Sequence, residues 1–374
     1  MSLEVQIVSD AAGFDALEPE WNELFEQSAR RSPPLHFDWM RTWWQIYGPI
    51  YAQELVILTI RDAGHLIGLL PLYLSKTSSL NPMRRLAFLS TGEDESEEIC
   101  ADYLDLLCLP DFEAQCINAL RPVLTELSWD ELSLRDMPAN SLLTKLAGTS
   151  RSRGTCPIAD LTGGFEAYLQ RLSANGRQQS RRLMRGAEKA GIQIEVPRDP
   201  HRALQIFDEL IELHQHRWQT DGEPGVFSAP RFTAFHRALV EKWVPENRAM
   251  LWRVALDGKP LAIKYGFLLG DKYDFYQSGV VLDDGCGIKS PGIVSFLNLM
   301  SHLSEQGVTC FDFLRGSSQY KERLSTGSRE LIELRLVRPG WRSGAHQLQR
   351  IARGASHRAR RLLQSTLTRQ GAGS

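Results

Sequence analysis

Hydrophobic and polar positions alternate, cluster and recur along this chain in a way that divides it into two similar halves. The first half opens with a strand-like alternation from Leu3 to Val8 and continues with a helical pattern from Asp15 to Gln27. A second helix is expected from Phe37 to Tyr47, where Phe37, Trp39, Trp43, Trp44 and Tyr47 recur at three- and four-residue spacings. These aromatics read either as core packing or as the wall of a substrate groove. Two strands follow in ELVILTIRDAGHLIGLLPLYL, with Asp62-Ala63-Gly64 as the hairpin turn. Leu86 to Ser90 and Tyr103 to Leu107 read as further strands, with an acidic loop from Glu93 to Glu98 between them. A helix near Glu113 to Leu127 and a strand near Glu131 to Arg135 complete this half.

From Ala147 to Pro157 the hydrophobic periodicity lapses, and glycine, serine, threonine and arginine predict a linker. Beyond it come a helix pair (Phe165 to Lys189), a strand (Ile192 to Val196) and a long amphipathic helix (His201 to Gln219). A Gly- and Pro-rich loop leads to a helix near Pro230 to Trp243. Strands Met250–Leu256, Pro260–Leu269 and Lys272–Val280 are separated by the tight-turn pairs Asp257-Gly258 and Gly270-Asp271, which predicts an antiparallel meander. A helix from Ile293 to Gln306, a strand from Thr309 to Leu314, a loop and a strand from Leu331 to Val337 close the half. The order of elements resembles that of the first half, although no repeat is detectable residue by residue.

The 374 residues exceed one ordinary core, and two domains of about 150–200 residues are expected, at 1–150 and 155–340. The 43% hydrophobic and 24% charged residues are ordinary for a globular protein, and a net charge of -2 gives no general reason to expect a nucleic-acid partner. Cys100, Cys108, Cys116, Cys156, Cys286 and Cys310 form no C-x-x-C pair, so no metal is expected and the thiols read as reduced, as in the cytoplasm. MSLEVQIVSD lacks the charge and apolar run of a leader, and the apolar stretch near Leu66 to Leu74 is too short to span a membrane.

Candidate chemistry gathers in the second half. In GCGIKSPGIV, Gly287 and Gly292 allow close backbone approach, Ser290 is placed to cap a helix and Pro291 to begin it. With Lys289 alongside, that helix start suits a phosphate or pyrophosphate. In FDFLRGSSQYK, Asp312 lies on a short strand, Arg315 sits where the strand runs out, and Tyr320 and Lys321 follow as candidate acid and oxyanion partner. Arg177, Arg181 and Arg185 line one helical face fit for a phosphate-bearing partner. His214, Arg217 and Trp218 share a face of the long helix; they either grip a substrate or close the helix. From Trp341 to the end no acidic residue interrupts a basic amphipathic pattern, which predicts a helix that docks on its own domain or contacts an acidic surface.

GRQQSRRLMRGAEKAG, HQHRW, VALDGKPLAIKYGF, YDFYQSGV, KSPG and DFLRGSSQYKERLS, with PLHFDWMRTWWQIYG, GLLPLYL and ADYLDLL earlier, together resemble the GNAT-type acetyltransferase domain of the cellulose-biosynthesis CelD/BcsL-like family. The resemblance extends to the Fem-like aminoacyltransferases. It implies an α/β (α+β) fold of tandem GNAT-like domains, each a mixed, largely antiparallel sheet flanked by helices. It implies transfer of an acyl group from acyl-CoA to an amine, or a hydroxyl, of an amino-sugar, nucleotide-sugar or polysaccharide precursor. Lys321 aligns with the lysine of a Phe/Tyr-Lys motif in the Fem-like enzymes, and Ser290 and Gly292 fall where GNAT proteins bind the cofactor pyrophosphate. Tyr276 and Gln277 of YDFYQSGV are further candidate substrate contacts. The usual Arg/Gln-x-x-Gly-x-Gly/Ala loop is absent from this sequence. Two alternatives stand beside this reading. One is aminoacyl-tRNA as donor; the other is a non-catalytic assembly factor at a polysaccharide synthase, peripheral to the inner membrane through residues 341–374.

Overall fold

The computed structural model describes residues 3–77, 83–146, 148–282, 287–316, 318–340 and 342. The first half consists of β1 (Glu4–Val8), α1 (Ala11–Ala16), α2 (Glu18–Gln27), α3 (Phe37–Ile46), α4 (Gly48–Tyr51), β2 (Ala52–Asp62), β3 (His65–Ser75), β4 (Arg85–Phe88), β5 (Leu107–Cys108), α5 (Glu113–Glu126) and β6 (Glu131–Pro138). The second consists of β7 (Thr149–Asp160), α6 (Phe165–Arg171), α7 (Ala174–Ala190), β8 (Gln193–Glu195), α8 (Pro200–Thr220), α9 (Pro230–Trp243), β9 (Ala249–Leu256), β10 (Lys259–Leu269), β11 (Lys272–Val280), α10 (Pro291–Glu305), β12 (Cys310–Asp312), α11 (Gln319–Leu324) and β13 (Gly327–Val337).

The strands form one sheet in the order β1-β2-β3-β4-β6-β13-β7-β12-β11-β10-β9-β8, with β5 added beside β3. Only β4/β6 and β11/β12 pair in parallel; the other neighbours are antiparallel. The sequence of pairings is therefore the same read from either edge. Each parallel step needs a crossover, and helix α5 or α10 supplies it. The duplication inferred from element order is thus visible as a symmetry of the sheet. The hairpins match their turn residues: Ala63-Gly64 and Asp257-Gly258 all have positive φ, which suits the right-handed twist of the flanking strands.

Several elements differ from expectation, among them α11, where a loop was expected. The segment expected as a linker is most of β7, which lies between β12 and β13 at the middle of the sheet. Its polar side chains stay largely exposed, so its place rests on backbone pairing rather than on an apolar stripe. The expected strand from Tyr103 shrinks to Leu107–Cys108, because Cys100 and Tyr103 adopt left-handed conformations and the Tyr103 and Leu104 amides both donate to the Asp136 carbonyl.

One hydrophobic core joins the first half to α8, α9 and one face of β9 and β10. The aromatics of α3 belong to it: Trp39 lies edge-on to Phe235 of α9 at 5.1 Å, and Trp39, Trp43 and Tyr47 are buried. Asp38 anchors the same seam, accepting from Lys242 at 2.5 Å and from the Trp243 indole at 2.9 Å. A second core fills the other face of the second half beneath α6, α7 and α10. No described helix is long and apolar enough to cross a membrane. The basic tail from Trp341 lies outside the described residues except for Arg342, whose guanidinium is 3.6 Å from Asp130.

A candidate acyl-transfer cleft between β11 and β12

Strands β11 and β12 stay paired only from Lys272–Asp274 against Cys310–Asp312. Strand β11 then continues to Val280, while the other chain turns away through Leu314 (φ 55°) and Gly316 (φ 112°). Several interactions fix this divergence. The Asp312 carboxylate accepts from the Leu314 amide at 2.8 Å, and Asp102 accepts from the Arg315 amide at 2.7 Å. The Lys321 ammonium donates to the carbonyls of Leu314 and Arg315 at 3.1 and 2.9 Å. A wedge therefore opens in the sheet, and sheet pairing to β12 ends where it begins, leaving main-chain groups able to bind a ligand.

One side of the wedge is aromatic. Phe296 of α10 stacks on Tyr320 at 5.1 Å and meets Phe313 at 5.6 Å. Burial raises the Tyr320 hydroxyl above its usual pKa, which keeps the proton on it at neutral pH. Beneath these rings lies Lys264 of β10. Its Nζ is 4.0 Å from the centre of the Phe296 ring and donates to Ser278 Oγ at 2.8 Å. Burial, reinforced by the nearby Arg217 charge, lowers the Lys264 pKa to about 7.

The start of α10 borders the far end of β11. Pro291 opens the helix as expected, but Ser290 is left-handed (φ 53°) and its side chain makes no capping bond. The cap expected of Ser290 is absent because that backbone conformation is incompatible with the extended N-cap geometry. Gly292 fits closely beside Val280, where a Cβ would come within 3.3 Å of a methyl group. Gly287 and Lys289 are exposed in the approach to this helix.

Helix α8 covers the opposite face. It comes so close to β11 that a Cβ on Gly279 would meet the Leu210 carbonyl at 2.7 Å. This packing sets His214, Arg217 and Trp218 beside the wedge. His214 is buried, edge-on to Phe227 at 4.9 Å, and accepts from the Trp218 indole at 2.9 Å. Burial lowers its pKa to about 4, so it is neutral at pH 7. Trp218 and Arg217 are exposed, and Arg217 is near enough to act electrostatically on both Lys264 and Tyr320.

Several residues expected in the site have other partners. Asp312 is buried and accepts from the Tyr103 hydroxyl at 2.7 Å, with the Lys272 ammonium at 3.1 Å. These partners meet its Oδ2 and the Leu314 amide meets its Oδ1. Arg315 is drawn into the first half, 2.6 Å from Asp136, 3.4 Å from Glu98 and 3.5 Å from Asp102. Burial still pushes Asp102 up to about 7 despite that cation. The Tyr276 hydroxyl donates to the Ile99 carbonyl, so Tyr276, like Arg315, ties the second half to the first. Gln277 is half-buried beside Ser278. Arg177 bonds Gln170 at 3.0 Å and Arg181 pairs with Glu166 at 2.6 Å on the outer face of α7, outside the cleft residues described above. Lys264 and Ser278 were not singled out by the sequence reading. Their signal was a lysine within the apolar run PLAIKYGF, a costly position without a purpose.

Residues 174–322 match the family model of the acetyltransferase (GNAT) domain. Among solved structures, the crystal structure of FemX aligns with a TM-score of 0.59 at 12% identity, covering 92% of this chain and 99% of that one. The structure of L-PGS from Bacillus licheniformis aligns with a TM-score of 0.55 at 12% identity, covering 91% and 96%. A conserved protein of unknown function from Bacteroides thetaiotaomicron aligns with a TM-score of 0.54 at 12% identity, covering 89% and 100%. No curated protein matches the chain in sequence. At this identity the structural likenesses establish the fold. The chain has a GNAT-like mixed α/β fold, and the domain at 174–322 makes it an acyltransferase.

Proposed function

We propose that the wedge between β11 and β12 transfers an acyl group from an acyl-CoA thioester to an amine of a sugar or polysaccharide precursor. The carrying observation is the break in pairing after Asp274 and Asp312, lined by Ser278, Tyr320 and the start of α10. In this reading the donor's acyl arm lies along the unpaired edge of β11, and its pyrophosphate meets the Gly292 amide in the first turn of α10, with Lys289. Lys289, Ser290, Gly287 and Gly292 would hold the cofactor. Strand amides stabilise the oxyanion, and the protonated Tyr320 hydroxyl is placed to supply the departing thiolate. Lys321 acts by holding Leu314 and Arg315 in place, which keeps the wedge open. Arg217, Trp218 and Gln277 receive the acceptor, and an envelope or exopolysaccharide precursor suits an exposed cation and indole.

An aminoacyl-tRNA donor is the competing reading, and the likeness to the fold of L-PGS, with Arg182 and Arg185 exposed on α7, favours keeping it in the test. The test is thermal shift and calorimetry with acetyl-CoA and longer acyl-CoA esters, alongside bulk tRNA. Stabilisation by an acyl-CoA, with thiol release on adding glucosamine, is expected. Salt-sensitive binding of tRNA alone would replace the thioester by an aminoacyl ester.

A further inference from the structure

We propose that Ser278 and Lys264 form a proton relay that draws a proton from the acceptor amine. The inference rests on the reading that this cleft acylates an amine. Three observations place the pair. Ser278 is half-buried on the strand edge that borders the wedge, and Lys264 lies behind it, buried, with Nζ 2.8 Å from Ser278 Oγ. Among the described residues that hydroxyl is the one hydrogen-bond partner of Nζ, and no carboxylate pairs with it. Its other surroundings are rings: Phe296 at 4.0 Å and Phe275 at 5.9 Å to their centres.

Buried lysines elsewhere in the fold are used differently. Lys321 bonds two carbonyls and Lys272 pairs with Asp274 and Asp312. The carboxylates raise the Lys272 pKa and keep its ammonium, whereas burial lowers that of Lys321 despite the charges near it. The setting of Lys264 favours the free amine: the elements packed on it contribute Trp252 from β9, Ser278 and Phe275 from β11 and Phe296 from α10, and the charge that reaches it is the cation of Arg217 on α8. Tyr320 lies one ring further out, across Phe296. A lysine that is half neutral near pH 7 and bonded to a hydroxyl has the arrangement of an acid–base dyad.

The acceptor enters as an ammonium and donates an N–H to Ser278 Oγ, whose own proton passes to the Lys264 lone pair. Serine ends neutral and Lys264 ends as an ammonium. The freed amine attacks the thioester carbonyl, the C–N bond forms and the C–S bond breaks. The Tyr320 hydroxyl protonates the departing sulfur and is reprotonated by the remaining excess N–H proton, giving amide and thiol, and Lys264 later returns its proton to solvent. Ser278 thus touches the reacting nitrogen, and Lys264 acts through it.

The experiment uses the full chain with acetyl-CoA as donor and glucosamine as acceptor, read as thiol release from pH 5.5 to 9. In the wild type, kcat/KM rises through an acid limb near pH 7. Lys264→Arg keeps the charge and the hydrogen-bond donor but cannot accept a proton; it is expected to lose about 10²–10⁴-fold and the limb with it. Ser278→Ala is expected to lose activity while acetyl-CoA still binds. An unchanged limb in Lys264→Arg, or full activity in Ser278→Ala, overturns the relay. So does an acetyl group on Ser278 in intact-mass spectra, which would make it a nucleophile. Independently, the ε-carbon NMR signal absent from Lys264→Arg should titrate near pH 7 in the wild type; titration at the ordinary lysine value overturns the relay. A wild type without transfer sinks the acyl-transfer reading itself, and the NMR titration then decides the dyad alone.

Discussion

The two halves place the same strands in the same order, yet they fill the equivalent interior differently. The sixth residue of β3 is Leu70, and the sixth residue of β10 is Lys264. Both are buried. In the first half the loop after β4 folds back over its own strands: Trp43 donates to Glu93, Tyr51 bonds Glu97 at 2.5 Å and the Tyr73 hydroxyl donates to the Thr91 carbonyl at 2.7 Å. In the second half the chain leaves β11 for α10 and the wedge is lined by Ser278, Tyr320 and Lys264. At this equivalent position the first half is apolar, and the second carries the polar pair Lys264 and Ser278, whose burial is costly. Such cost is retained where a site uses it.

The sharpest way to break this contrast is to exchange the interior residues. Leu70→Lys should destabilise by about 3–5 kcal/mol in urea unfolding, since the charge enters a fully buried position paired with the apolar Leu58. A loss below about 1 kcal/mol would mean that the first half tolerates the polar interior equally well. Next in size is pH, where the halves differ in sign. His214 has its pKa lowered from 6.5 to about 4, so the unfolded chain binds the proton first. Its contribution is whole above pH 6.5 and is lost as pH falls toward 4, by about 2–3 kcal/mol. Replacing it by Gln should flatten that acid limb in stability measured from pH 4 to 7. Glu93 behaves oppositely: burial raises its pKa from 4.5 to about 8, so the folded chain holds the proton and stability falls as pH rises between those values. Glu93→Gln should therefore raise the melting temperature at pH 8.5 and change it little at pH 4.5.

A smaller effect compares two glycines. Gly279→Ala pushes against backbone of α8 and should cost about 1–3 kcal/mol, with weakened acyl-CoA binding. Gly68→Ala meets the ends of the Cys116 and Ile60 side chains, which can rotate, and should cost below about 1 kcal/mol. Equal costs in chemical denaturation would show that the approach of α8 to β11 has no special tightness.

Sequence pattern alone was enough for the longer helices and the hairpins, because each is set by local spacing and turn chemistry; the short α11 was read as loop. Asp62-Ala63-Gly64 and Asp257-Gly258 produced the turns, and the α3 aromatics found a core, as their spacing allowed. The helix start at Pro291 was also legible. Other features were not, because they depend on partners far apart in sequence. Strand β7 has no apolar stripe and exists through pairing with β12 and β13. Asp312 and Arg315 looked available for chemistry until Tyr103, Lys272 and Asp136 were seen to occupy them. Lys264 looked like one odd residue in an apolar strand. Only the packed fold, which buries it behind Ser278 with no opposing carboxylate among the described residues, gives that lysine a near-neutral pKa and a place at the wedge.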